Sequence, residues 1–199
     1  MQACRLAALD LACRRGDRVL FRGLEFTLET GEALHLAGPN GVGKSSLIRI
    51  LAGLLRAYAG TVEREGALAL ADERPALDAH LALGAALGFW RKFDSADAAT
   101  LDAAIDTLGL RDLLDVPVRY LSTGQRKRAA LARTLLAGAP VWLLDEPLNG
   151  LDTATTAAVE GLVAAHIGQG GIAVIASHQP FALAGMARLE LARFEPVKA

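Results

Sequence analysis

The run Gly38-Pro39-Asn40-Gly41-Val42-Gly43-Lys44-Ser45, set directly after the short apolar stretch Ala33-Leu34-His35-Leu36-Ala37, constrains this chain more than any other feature. Three glycines and a proline within six positions suit neither helix nor strand, so the run is a loop. The stretch before it has the length and composition of a strand buried on both faces. After it, Leu47, Ile48, Leu51 and Leu54 fall on one helical face, which predicts a helix from Lys44 to about Leu55. Strand, glycine-rich loop and helix together make a cradle for a polyphosphate. Glycines let several backbone N–H groups approach one anion, and the helix start adds free N–H groups and a positive dipole end. Gly38 to Ser46 are therefore candidate binding residues, with Lys44 reaching the β- and γ-phosphates and Ser45 placed to bind Mg²⁺ through its hydroxyl.

The rest of the chain continues an alternation of strands and helices. Residues 5–36 read as strands, with Leu24, Phe26 and Leu28 alternating with polar neighbours. Thr61 to Ala71 reads as edge strands, and residues 75–138 as a helical, alanine-rich block. Val141-Trp142-Leu143-Leu144 and Ile172-Ala173-Val174-Ile175-Ala176 are two more doubly buried strands, with a helix over 153–168 between them. The pattern predicts an α/β fold with a mainly parallel sheet, interrupted by a helical subdomain.

Composition excludes several classes. Hydrophobic residues are 52% and charged residues 22% of the 199, far from a disordered composition. A net charge of -1 offers no electrostatic grip on nucleic acid, so none is expected as a partner. Cys4 and Cys13 form neither a disulfide framework nor a zinc spacing and are expected as free thiols. Arg5 and Asp10 interrupt the start, so no signal peptide is read. The longest apolar candidate, Ala129 to Leu144, is broken by Arg133 and Pro140, so no spanning helix is expected.

A second chemical motif closes the strand at 141–144 with Asp145-Glu146. In parallel sheets the carboxyl ends of strands are where ligands bind. Beside a phosphate cradle, Asp145 would hold Mg²⁺ through its water shell, and Glu146 would orient or deprotonate the attacking water.

At this point the sequence resembles the ATP-binding-cassette (ABC) ATPases. Leu121-Ser122-Thr123-Gly124-Gln125 is similar to that family's signature, with Thr123 where glycine is commoner. Asn149-Gly150-Leu151-Asp152 resembles its D-loop, and His178 its switch histidine, which contacts the γ-phosphate. The resemblance implies an α/β P-loop NTPase fold with a mainly parallel core sheet, an N-terminal antiparallel β part and a helical subdomain. One domain would span residues 1–199, with the subdomain at about 75–130 inserted in the nucleotide-binding core. It implies ATP and Mg²⁺ as ligands, Lys44, Glu146 and His178 as catalytic residues, and a head-to-tail homodimer. Ser122 and Gly124 would then complete the ATP site of the other protomer. It also implies integral membrane transporter subunits as partners.

Within the family, the sequence is similar to ATP-binding subunits of haem export and cytochrome c maturation, whose partners are CcmB- and CcmC-like. The likeness lies in Gly31-Glu32-Ala33-Leu34, in Lys44-Ser45-Ser46-Leu47-Ile48-Arg49-Ile50-Leu51-Ala52-Gly53-Leu54 and in Ser177-His178-Gln179-Pro180. That resemblance implies a chain peripheral on the cytoplasmic face of the bacterial inner membrane. Export of another cargo, such as a lipid or peptide, and a soluble regulatory ABC protein are the alternatives.

The chain also departs from the family. No glutamine lies between Ser46 and Gln125, and by spacing Arg74, before Pro75, holds the Q-loop position. Arg15 stands where the family's adenine-stacking aromatic lies, and its guanidinium would either stack on the base or sit in a solvated turn beside Gly16. Arg126, Lys127 and Arg128 read as a solvated helix face. His35, His80 and His166 share no ligand spacing, and Phe89, Trp90 and Phe93 are expected mainly as core.

Overall fold

The computed structural model describes residues 3–195. The chain runs β1 (Arg5–Arg15), β2 (Arg18–Glu29), β3 (Ala33–Ala37), α1 (Lys44–Leu51), β4 (Ala59–Glu65), β5 (Leu68–Ala71), α2 (Leu83–Phe93), α3 (Ala98–Thr107), α4 (Thr123–Leu136), β6 (Val141–Asp145), α5 (Thr153–Gly168), β7 (Ile172–Ala176) and β8 (Ala187–Glu190). An antiparallel sheet has the order β2-β1-β4, and a second sheet has the order β5-β6-β7-β3-β8. All pairings in the second sheet are parallel.

The parallel strands are apolar throughout because both faces are covered. Leu143, Val174 and Leu36 join a core shared with α1 and with Leu6, Leu11 and Phe21 of the antiparallel sheet. Trp142, Leu144, Ala173 and Ile175, on the other face, join a core shared with the helices. There Trp142 stacks on His166 of α5 at 3.8 Å between ring centroids. Helix α4 carries Ala129, Ala130, Ala132 and Leu136 into the same core.

The first helix is shorter than its periodicity predicts. It stops at Leu51, and Leu54 is 68% exposed. Gly53 turns left-handed (φ 76), its N–H bonds to Ile50, and the Leu54 N–H returns to the Arg49 carbonyl. Such a turn satisfies the last carbonyls and ends the helix.

The sheet order decides where chemistry can gather. β6, β7 and β3 are neighbours, with Asp145 opposite Ala176 and Leu36 opposite Ala176. Their carboxyl ends therefore lie side by side. They carry Asp145-Glu146, Ser177-His178 and the glycine-rich loop, while β5 brings Asp72-Glu73 to the same edge.

Candidate functional site

The loop between β3 and α1 is built for an anion. Gly43 caps α1 at φ 115 without a side-chain bond, so the first-turn N–H groups are left for a ligand. A β-carbon there would lie 3.3 Å from Leu20 and Phe21, and the positive φ strains any side chain. Lys44 is buried, and its Nζ donates to the Gly38 carbonyl (2.8 Å) and the Pro39 carbonyl (3.3 Å). Ser45 Oγ donates to Asp145 Oδ1 at 3.1 Å.

Glu146 sits at the centre of a polar chain. Its Oε1 lies 3.5 Å from Lys44 Nζ, and its Oε2 accepts from His178 Nδ1 at 2.8 Å. Glu146 holds a left-handed backbone (φ 50), the kind of strain that collects at functional sites. Its N–H donates to the Ala176 carbonyl at 2.7 Å, tying it to the end of β7. A carboxylate between an ammonium and an imidazole N–H is held in one orientation and keeps lone pairs for a proton.

A cavity of about 350 Å³ opens over these groups, lined by Asn40, Gly41, Lys44, Ser46, Glu146 and His178 among others. Of the other loop residues, Gly38 and Pro39 line an adjoining cavity beside His178, while Val42 is buried in the core.

Ser45 and Asp145 also form a hard-oxygen pair suited to a small divalent cation. Burial raises the Asp145 carboxyl above the ordinary carboxylate range, opposed by the Ser45 hydrogen bond and the Lys127 charge. A desolvated carboxylate of this kind gains from a cation. Among the described residues no cluster of three His, Cys, Asp or Glu side chains could hold a metal by itself. The pair instead fits an ion whose remaining ligands are phosphate oxygens and water.

The remaining candidates are distributed around this cavity. Glu73, not Arg74, lines the cavity. Arg74 instead faces a separate groove of about 530 Å³, together with Arg49, Leu54 and Arg133. Asp72 Oδ1 accepts from the Arg74 N–H at 2.8 Å, closing the turn in which the two side chains part. Arg15 does not line the loop cavity; Leu20 does.

Ser122 and Gly124 lie outside this cavity. Ser122 caps α4, accepting from the Gln125 N–H while Gln125 accepts from the Ser122 N–H. Gly124 abuts the Gly150 carbonyl, where a β-carbon would sit 2.5 Å from the oxygen. Lys127 is not solvated. It is 7% exposed, and its Nζ donates to the backbone carbonyls of Asp145 (3.3 Å) and Glu146. A signal existed, because Lys127 shares a helical face with Ala130, Leu131 and Thr134, all buried. Arg128 binds the Leu108 and Gly109 carbonyls at 2.9 and 2.8 Å. Phe89 and Phe93 are 58% and 69% exposed rather than core, and they pack on the half-buried Trp90. His35 and His166 are buried, with ring nitrogens against the Ser177 and Pro140 carbonyls.

The family follows from this fold and motif order. The model of the ABC transporter family matches residues 21–149, and the chain belongs to that family of ATP-binding proteins. It is 60% identical over 196 residues to the "Cytochrome c biogenesis ATP-binding export protein CcmA" of Novosphingobium aromaticivorans, covering 98% of this chain and 100% of that protein. It is 54% identical to the protein of the same name from Sphingopyxis alaskensis, over 90% of this chain and 92% of that one. Among solved structures, "An inward-facing conformation of a putative metal-chelate type ABC transporter" superposes with a TM-score of 0.76 at 25% identity, covering 94% of this chain and 80% of that chain.

Proposed function

We propose that this chain hydrolyses ATP as the ATP-binding subunit of a haem-export complex serving cytochrome c biogenesis. The observation that carries the reading is the Lys44–Glu146–His178 chain set over the glycine-rich loop. The 60% identity to a cytochrome c biogenesis export protein supports the cargo class.

In the proposed mechanism, loop N–H groups and Lys44 hold the β- and γ-phosphates of ATP. Ser45 and Asp145 would hold Mg²⁺, which when bound neutralises charge on those phosphates. Glu146 takes a proton from the water that attacks the γ-phosphorus. The bond from that phosphorus to the β–γ bridging oxygen breaks, and its electron pair leaves with ADP. His178, donating from Nδ1, keeps Glu146 oriented. Ser122 and Gly124 face a second copy and complete its nucleotide site in trans, so ATP joins the two subunits and hydrolysis parts them.

Among the described residues, no helix is long and apolar enough to cross a membrane. Integral partners of the CcmB/CcmC kind would supply the spanning part, with this subunit peripheral on the cytoplasmic face of the inner membrane. A place for them is offered by the groove that Arg74 and Leu54 line. Trp90 links that groove to the exposed Phe89 and Phe93, donating its indole N–H to the Ala76 carbonyl.

Glu146→Gln is expected to lower the hydrolysis rate by roughly 10²–10⁴-fold while ATP affinity is kept, as loss of a positioned base requires. Steady-state turnover and calorimetry read the two quantities, and an undiminished rate rejects Glu146 as the base. Membrane affinity purification with identification of co-purifying integral proteins tests the partner class.

A further inference from the structure

We infer that Lys127 is a positioning residue for ATP hydrolysis, tying the helix that begins at Ser122 to the turn that carries Glu146. This inference rests on the ATPase reading above.

The geometry is specific. Glu146 is a non-glycine residue with φ 50, a conformation that persists only where neighbours hold it. Its peptide groups are held from three sides. The N–H goes to Ala176, and the carbonyl accepts from Asn149 N at 3.3 Å and from Lys127 Nζ. Lys127 also binds the preceding carbonyl, of Asp145, at 3.3 Å. One ammonium thus spans the carbonyls of the two residues whose side chains supply the carboxylate of the cation pair and the base. With the lysine only 7% exposed, water has little access to replace it.

Placement on α4 gives the contact its consequence. Lys127 follows the Ser122 cap by little more than one turn. The same helix start packs Gly124 against the Gly150 carbonyl, in the loop that follows Glu146. A rigid helix clamped at Gly150 and at the Asp145 and Glu146 carbonyls transmits its position to the base. Seating of the α4 N-terminus on a second protomer's nucleotide would then set the aim of Glu146 in its own chain.

The test uses the whole 199-residue chain. Turnover is normalised to ATP-binding stoichiometry in the wild type, Lys127→Met and Lys127→Arg, and each is repeated in the Glu146→Gln background. Lys127→Met is expected to lower kcat at least tenfold with KM for ATP within about threefold, and Lys127→Arg to recover most of the loss. In the Glu146→Gln background, Lys127→Met should cause little further loss, because the two act through one group.

Wild-type kcat in Lys127→Met, or the same fractional loss with and without Glu146, overturns the inference. If Lys127→Met does not fold, Lys127→Gln, which keeps a neutral donor, is measured in the same way. Failure of both to fold makes the residue a folding element and also overturns it. A wild type that hydrolyses no ATP rejects the functional reading instead, a result distinct from any of these.

Discussion

At the turn after β5, one step along the chain exchanges an acid for a base. Glu73 lines the loop cavity and Arg74 the groove on the other side. A carboxylate in the cavity repels a polyphosphate, while an arginine outside it has no hold on one. Without divalent cation, Glu73→Gln should bind ATP several-fold more tightly, corresponding to about 1 kcal/mol of relieved repulsion at ε near 80 and 4 Å. Arg74→Ala should leave ATP affinity within about twofold. Calorimetry in chelator reads both, and the reverse ranking would mean that Arg74 is the inward residue. The sequence could not choose between these neighbours, because the direction of a turn is set by what packs against it. Lys44, Ser45, Asp145 and Glu146 were legible, because each sits at a strand end or helix start whose direction local sequence fixes.

Among the elements, α4 shows how a motif can serve structure and chemistry together. Ser122 and Gln125 form a capping box, each side chain bonded to the other's backbone N–H. Ser122→Ala should therefore cost the nucleotide-free protein about 1 kcal/mol, lowering its Tm by about 2–4 °C. Scanning calorimetry without ATP reads this effect separately from any role of Ser122 in trans. An unchanged Tm would show that the cap carries no weight. The start of α4 was readable from its S-x-x-Q spacing. Lys127 on the same helix is buried although its charge suggests a solvated position, and its spacing to Ala130, Leu131 and Thr134 marks the inner face. Periodicity is the better guide there than charge type. In α1 the reverse held: the apolar rhythm ran on to Leu54, but Gly53 ended the helix first.

For the molecule as a whole, the two cores meet through the parallel sheet, and two buried histidines couple stability to pH. His166 is buried beneath Trp142, with Nε2 against the carbonyls of Pro140 (3.1 Å) and Ile172 (3.3 Å). Burial pushes its pKa below the ordinary histidine value, as it does for His35. The folded state then binds fewer protons than the unfolded state. Stability is fully present above the unfolded pKa of about 6.5 and is lost as pH falls through it toward the lower folded value. Tm should fall between pH 7.5 and 5.5, and His166→Gln should make that dependence shallower, with His35 supplying the remainder, even if it lowers Tm at neutral pH. A slope unchanged in the variant would remove His166 as a source.

The sequence by itself determined the glycine-rich loop, the paired carboxylates, the doubly buried strands and the order of the family motifs. These depend on local backbone chemistry and on which side chains can lie between two covered faces. Only the tertiary structure decided that Glu73 rather than Arg74 faces the cavity, that Phe89 and Phe93 stay exposed and that Lys127 reaches the Asp145 and Glu146 carbonyls. Each of those outcomes depends on how α2, α4 and the turn after β5 pack against residues distant in the chain, and no local rhythm encodes that.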